Sequence, residues 1–107
     1  MATTSTVRKY SRVRLPKAKI VAWEHLGVRN VSTVRVMGLG GLFISTSAPP
    51  PAGDFIKLVF DAPGGDVRAR ARVCDSRSGE GMGIQFVSMA PEARARLNKL
   101  LTAYLPA

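Results

Sequence analysis

Hydrophobic and polar positions begin to alternate soon after Pro16, where Ala18, Ile20 and Ala22 face one way and Lys19, Val21 and Trp23 the other. A period of two is the mark of a strand. The stretch "HLGVRN" reads as a turn with His25 in it, and Val31 to Ser45 is long and β-branched but interrupted by Gly38, Gly40 and Gly41. That pattern predicts two strand segments joined by a bulge or bend. The run "SAPPPAGD" ends them, because consecutive prolines can neither donate to a ladder nor enter a helix interior. A further strand, "FIKLVF", sets Ile56, Leu58 and Phe60 on one face and runs into the turn "DAPGGD". The cleanest alternation follows in "VRARARVC": Val67, Ala69, Ala71 and Val73 inward, Arg68, Arg70 and Arg72 outward. "SRSGEG" turns the chain again and "MGIQFV" supplies the last strand.

From Pro91 the period changes. Ala93, Leu97, Leu100, Leu101 and Tyr104 recur at helical spacing, with Arg94, Arg96, Asn98 and Lys99 on the other side. Pro91 suits a first helical turn, and Glu92 meets the positive end of the helix dipole. Five or six short strands at regular spacing, closed by one helix, predict a small β-barrel or sandwich with a helical lid. The predicted core is Ile20, Leu42, Ile44, Leu58, Phe60, Ile84 and Phe86, with Leu97, Leu100 and Leu101 of the helix covering one opening.

At 107 residues the chain has mass for one hydrophobic core, so the expectation is a loose tail over 1–6 and a single domain over 7–107. No segment reaches the roughly 20 apolar residues of a membrane span. "MATTSTVRKY" has no apolar stretch behind its cations, and the cytoplasm is the expected compartment. A single cysteine, Cys74, and a single histidine, His25, leave little material for a metal centre or a nucleophilic triad, so an enzyme is not expected.

Charge adds more. Sixteen Lys and Arg stand against seven Asp and Glu, and residues 1–19 hold six cations (Arg8, Lys9, Arg12, Arg14, Lys17 and Lys19) and no acid. Such a segment attracts phosphate-bearing partners without saying which. The row Arg68, Arg70, Arg72 could track phosphates, though a solvated face that discourages edge pairing accounts for it more simply. Against nucleic acid stands the shortage of stacking platforms, with only Tyr10 and Trp23 available.

Three pieces, in this order, resemble the PilZ domain family: "RKYSR", an R-x-x-x-R with Arg8 and Arg12 just ahead of the first strand; "GLGGLFIST"; and "GEGMGIQFVSMAPEARARLNKLL". The resemblance runs from about Val7 to Leu105. It implies a mainly β fold, a six-stranded antiparallel barrel with a C-terminal α-helix over 91–105 and a basic arm over 7–15. It also implies cyclic di-GMP as the ligand, gripped by Arg8 and Arg12, with a second motif, [D/N]-x-S-x-x-G, reading guanine. Aligning the last glycine of that motif on Gly41 puts Gly38 at the serine position and Val36 at the Asp/Asn position, so the ligand-binding set is Arg8, Arg12, Val36, Gly38 and Gly41, with two hydrogen-bonding groups missing. The glycine cluster itself is open between a nucleotide-binding turn and a simple bend. The expected function is a non-enzymatic cyclic di-GMP receptor or adaptor module in bacterial signalling, whose ligand orders "VRKYSR" and whose state passes to a protein partner not identified by the sequence. The alternative is a ligand-free adaptor of the same fold, working in type IV pilus assembly or motility.

Overall fold

The computed structural model describes residues 12–104. Arg8, the expected tail over 1–6, the first part of the arm (7–11) and Leu105 lie outside the described residues. Six strands follow in order: β1 (Arg12–His25), β2 (Val28–Gly38), β3 (Gly41–Ser45), β4 (Phe55–Ala62), β5 (Gly65–Arg77) and β6 (Gly81–Met89). The helix α1 (Pro91–Thr102) is the last element among the described residues and stops short of the expected 91–105, with Ala103 and Tyr104 in a turn and Tyr104 exposed rather than on the buried stripe. All strand pairs are antiparallel, and the order β1-β2-β3-β6-β5-β4 closes on itself as a barrel.

Alternation explains the interior. Leu42 and Ile44 from β3, Ile56, Leu58 and Phe60 from β4, and Val67, Ala71 and Val73 from β5 all point inward, and Leu97, Leu100 and Leu101 of α1 join the same core. Ile84 is buried, and Phe86 packs half-buried against the cluster. The helix lies over β5 and β4, fastened where Arg96 Nη1 donates to the Asp66 carbonyl at 3.0 Å and Arg94 Nη1 to the Leu39 carbonyl at 3.1 Å. Its N-cap residue, Ala90, offers no side-chain hydrogen bond, so Pro91 and Glu92 are what favour the start.

Strand β1 departs from the expected phase. Ile20 is 66% exposed, while Val21 and Trp23 are buried. The segment is apolar on both faces, so period two leaves the choice of face open, and burying indole plus valine removes more apolar surface than burying isoleucine between two alanines. The Trp23 indole N–H donates to Ser32 Oγ at 3.0 Å, which removes Trp23 as a stacking platform. The strand also starts earlier than the alternation suggested. Residues 12–15 belong to β1, with Arg12, Val13 and Arg14 paired to β2 and Val13 and Leu15 in the core. Pro16 is accommodated by a register break between Arg14 and Lys19, where a missing N–H interrupts nothing. His25 closes β1 rather than sitting in the turn, with Nε2 2.8 Å from Asp54 Oδ2. Between β3 and β4 the proline-rich loop is stitched to β5: Gly53 N donates to the Val73 carbonyl at 2.7 Å, and Val73 N to the Asp54 carbonyl at 2.8 Å.

Candidate functional site

Where β1 meets β2, Arg12 pairs with Gly38 and Arg14 with Val36. Val13 and Met37 between them are buried, so both arginines stand on the outer face, beside the positions where the family motif places its serine and acid. The chain then crosses Leu39 and Gly40 into β3, whose first residue, Gly41, pairs with Gln85 of β6. The Gly40 carbonyl accepts from Phe86 N at 2.9 Å.

Gly41 is glycine for a reason the structure makes explicit. A Cβ there would overlap the Ile84 carbonyl oxygen and press on Gln85 Cα, both backbone. Among the described residues, positive φ falls at Leu26, Gly27, Gly53, Gly64, Gly65, Gly79 and Gly81, and not within the cluster at 38–41. Gly41 therefore serves close approach of two strands, and none of the cluster serves a left-handed turn.

This approach leaves a groove of about 390 Å³ on the β3–β6–β5 face. Arg12, Gly38 and Gly41 line it, together with Phe43, Asp75 and Arg77. Val36 does not line it, although its ladder partner Arg14 neighbours Arg12 on the same face. Arg77 is held as a fork by one oxygen: its Nε donates to Asp75 Oδ2 at 2.9 Å and its Nη2 lies 2.9 Å from the same atom. The guanidinium also sits 5.9 Å from the centroid of the Phe43 ring. The groove thus offers a flat glycine floor, an aromatic edge, two guanidinium groups and one carboxylate. A planar, hydrogen-bonding, anionic molecule suits that combination.

Phe43, Asp75 and Arg77 were not expected at the site. Phe43 was legible, since Leu42 and Ile44 inward put it outward. Asp75 was not. A bulge between Val73 and Asp75 turns both Cys74 and Asp75 to the exterior, and a strict period of two would have sent one of them inside. Cys74 is exposed, with Sγ 3.8 Å from Gln85 Oε1. Among the described residues no cluster of three or more His, Cys, Asp or Glu side chains is placed to hold a metal ion, and no helix is long and apolar enough to cross a membrane.

Residues 6–103 match the PilZ domain family. No curated protein matches the chain. Among solved structures, the barrel superposes on the Borreliella burgdorferi PlzA protein in complex with c-di-GMP with a TM-score of 0.72 at 11% identity, covering 90% of this chain and 41% of that one. It superposes on the PilZ domain with c-di-GMP of YcgR from Escherichia coli with a TM-score of 0.71 at 13% identity, covering 91% and 90%. For the Bacillus subtilis inhibitor of motility MotI/DgrA the TM-score is 0.70 at 15% identity, covering 92% and 51%. The chain therefore spans about half or less of the length of PlzA and MotI, and nearly all of the YcgR domain. At these identities the likeness is one of fold.

Proposed function

Because the chain belongs to the PilZ domain family, we propose that it is a non-enzymatic cyclic di-GMP receptor module, acting in the cytoplasm, that lays its ligand along the glycine groove and signals to a protein partner. The observation that carries this reading is the pairing of Arg12 with Gly38, both of them lining one groove with Gly41. Arginine suits the task because the guanidinium is at once a fork for phosphate and a cationic plate for a purine face, and lysine supplies neither. Arg8 completes the pair of cations in this proposal. That the solved PlzA and YcgR structures contain c-di-GMP supports the choice of ligand.

Affinity is reduced in this reading. Val36 and Gly38 bring no side-chain donor or acceptor, and two absent hydrogen bonds at about 1–2 kcal/mol each weaken binding roughly 30- to 1,000-fold. The same departure favours a second reading, a ligand-free adaptor that works through protein contacts, as in pilus assembly or motility.

Isothermal titration with cyclic di-GMP at physiological salt separates them. Wild type is expected to bind and Arg12→Ala to lose binding. Tight binding left unchanged by Arg8→Ala with Arg12→Ala would overturn the site. Absence of binding at millimolar ligand, both in wild type and after Val36→Asp, would hand the protein to the adaptor reading.

A further inference from the structure

Across the ring from the glycine groove, the outer face of β1 and β4 carries a second, larger concavity of about 520 Å³. One ladder row crosses it strand by strand: Arg29 opposite Glu24, Glu24 opposite Lys57, Lys57 opposite Arg70, Arg70 opposite Ser88. The neighbouring row is apolar, with Val31 opposite Ala22 and Ala22 opposite Val59, before it ends on Arg68. Ile20, two residues along β1, extends the apolar strip on the same face. Ile20 and Val31 are 66% and 67% exposed. Of this strip, Ala22 and Val59 line the concavity, while Ile20 and Val31 lie beside it on the same face; four cations (Arg29, Lys57, Arg68 and Arg70) line it with them, and Glu24 is the one acid lining it among the described residues.

Single exposed aliphatics need no explanation, but a continuous strip framed by like charge does. Its occupant must offer apolar side chains to Ala22 and Val59 and carboxylates to the rim. A second copy of this chain is disfavoured, because a two-fold contact on this face would set four cations against four. Nucleic acid is disfavoured because the one aromatic residue lining the concavity, Trp23, is only 4% exposed, while the nearby Phe55 ring is already covered by the Arg70 guanidinium at 4.5 Å. A bilayer surface is disfavoured by the recess, since a narrow floor between charged walls admits a chain segment and not a plane of headgroups.

We propose that this groove docks an acidic, amphipathic segment of a partner protein, on the side of the barrel remote from the glycine groove. The docking does not rest on nucleotide binding, so either can fail without the other.

The test is selection of random phage-displayed peptides on the immobilised full chain, followed by synthesis of the enriched peptides and titration by fluorescence anisotropy at physiological salt. Peptides combining acids with aliphatic residues are expected to enrich, to bind wild type in solution, and to weaken about tenfold or more on Lys57→Glu with Arg70→Glu. Val59→Asn, on the floor itself, leaves the rim charges in place and is expected to weaken them as well. Circular dichroism reports whether each variant keeps the barrel, and Lys57→Gln with Arg68→Gln replaces the charge reversal should that variant unfold. Failure of acidic aliphatic peptides to enrich would overturn the proposal. So would equal affinity for wild type and the folded variants. Binding of phosphatidylglycerol vesicles or duplex DNA that these substitutions abolish, without peptide enrichment, would reassign the face and overturn it too.

Discussion

The two concave faces of the ring are made of different material. On the β3–β6 side the hollow exists because side chains are missing: Gly41 brings β3 so close to β6 that nothing larger than hydrogen fits. On the β1–β4 side the hollow exists because side chains stand up around it, four cations rising about Ala22 and Val59. The first shape is set by backbone spacing and the second by charge and length. Substitutions at the glycine seam should therefore register chiefly in stability, and those in the charged walls should leave stability nearly unchanged.

The strongest test of that contrast is Gly41→Ala. Its new methyl meets backbone on β6, which cannot rotate away, so the barrel is expected to lose about 3 kcal/mol or more in chemical denaturation. A loss under about 1 kcal/mol would show that the seam can relax and that the hollow is not fixed by spacing. Next in size is Val36→Asp, which adds an acceptor on the outer face near Arg12 and Arg14 and is expected to strengthen cyclic di-GMP binding about tenfold, or about 1.4 kcal/mol. Isothermal titration reads it. Gly27→Ala sharpens the comparison by separating two reasons for glycine. Gly27 sits at φ 81° with nothing within 4 Å of a Cβ, so only backbone conformation opposes alanine, and the expected loss is about 1 kcal/mol in thermal or chemical unfolding. Smallest is Arg70→Ala on the charged face. It removes the guanidinium from the Phe55 ring, and stability should fall by only about 0.5 kcal/mol, measured the same way.

The sequence was most legible where only one phase of alternation was possible. In β5 the inward set from Val67 to Val73 is small and apolar and the outward set is arginine, so no other face assignment was open. Strand β1 offered two, because Ile20 and Val21 are both aliphatic neighbours and only the partner strands decide between them. Its early start was hidden for a related reason: basic residues at 12 and 14 and a proline at 16 read as arm, while Val13 and Leu15 between them belong to the core. Of the residues lining the glycine groove, the motif pointed to Gly38 and Gly41 and the spacing to Arg8 pointed to Arg12. Asp75 and Arg77 could not be found that way, since a bulge that re-aims side chains leaves no mark in the periodicity of one strand.

Ring closure also bears on how the chain reaches this shape. β1, β2 and β3 form one meander and β4, β5 and β6 another, each assembled from hairpins between sequence neighbours. The proline-rich loop separates them, and among the described residues two strand seams unite them, five residue pairs between β3 and β6 and three between β1 and β4. Both seams join residues far apart along the chain, so the entropy of closing long loops is spent before either is rewarded. Local hairpins form in microseconds, whereas a barrel that must dock two halves along two distant seams belongs with the β proteins that fold in about milliseconds to seconds. Gly41 lies in the longer seam, which makes the closeness of β3 and β6 a condition on the rate of folding as well as on the shape of the groove.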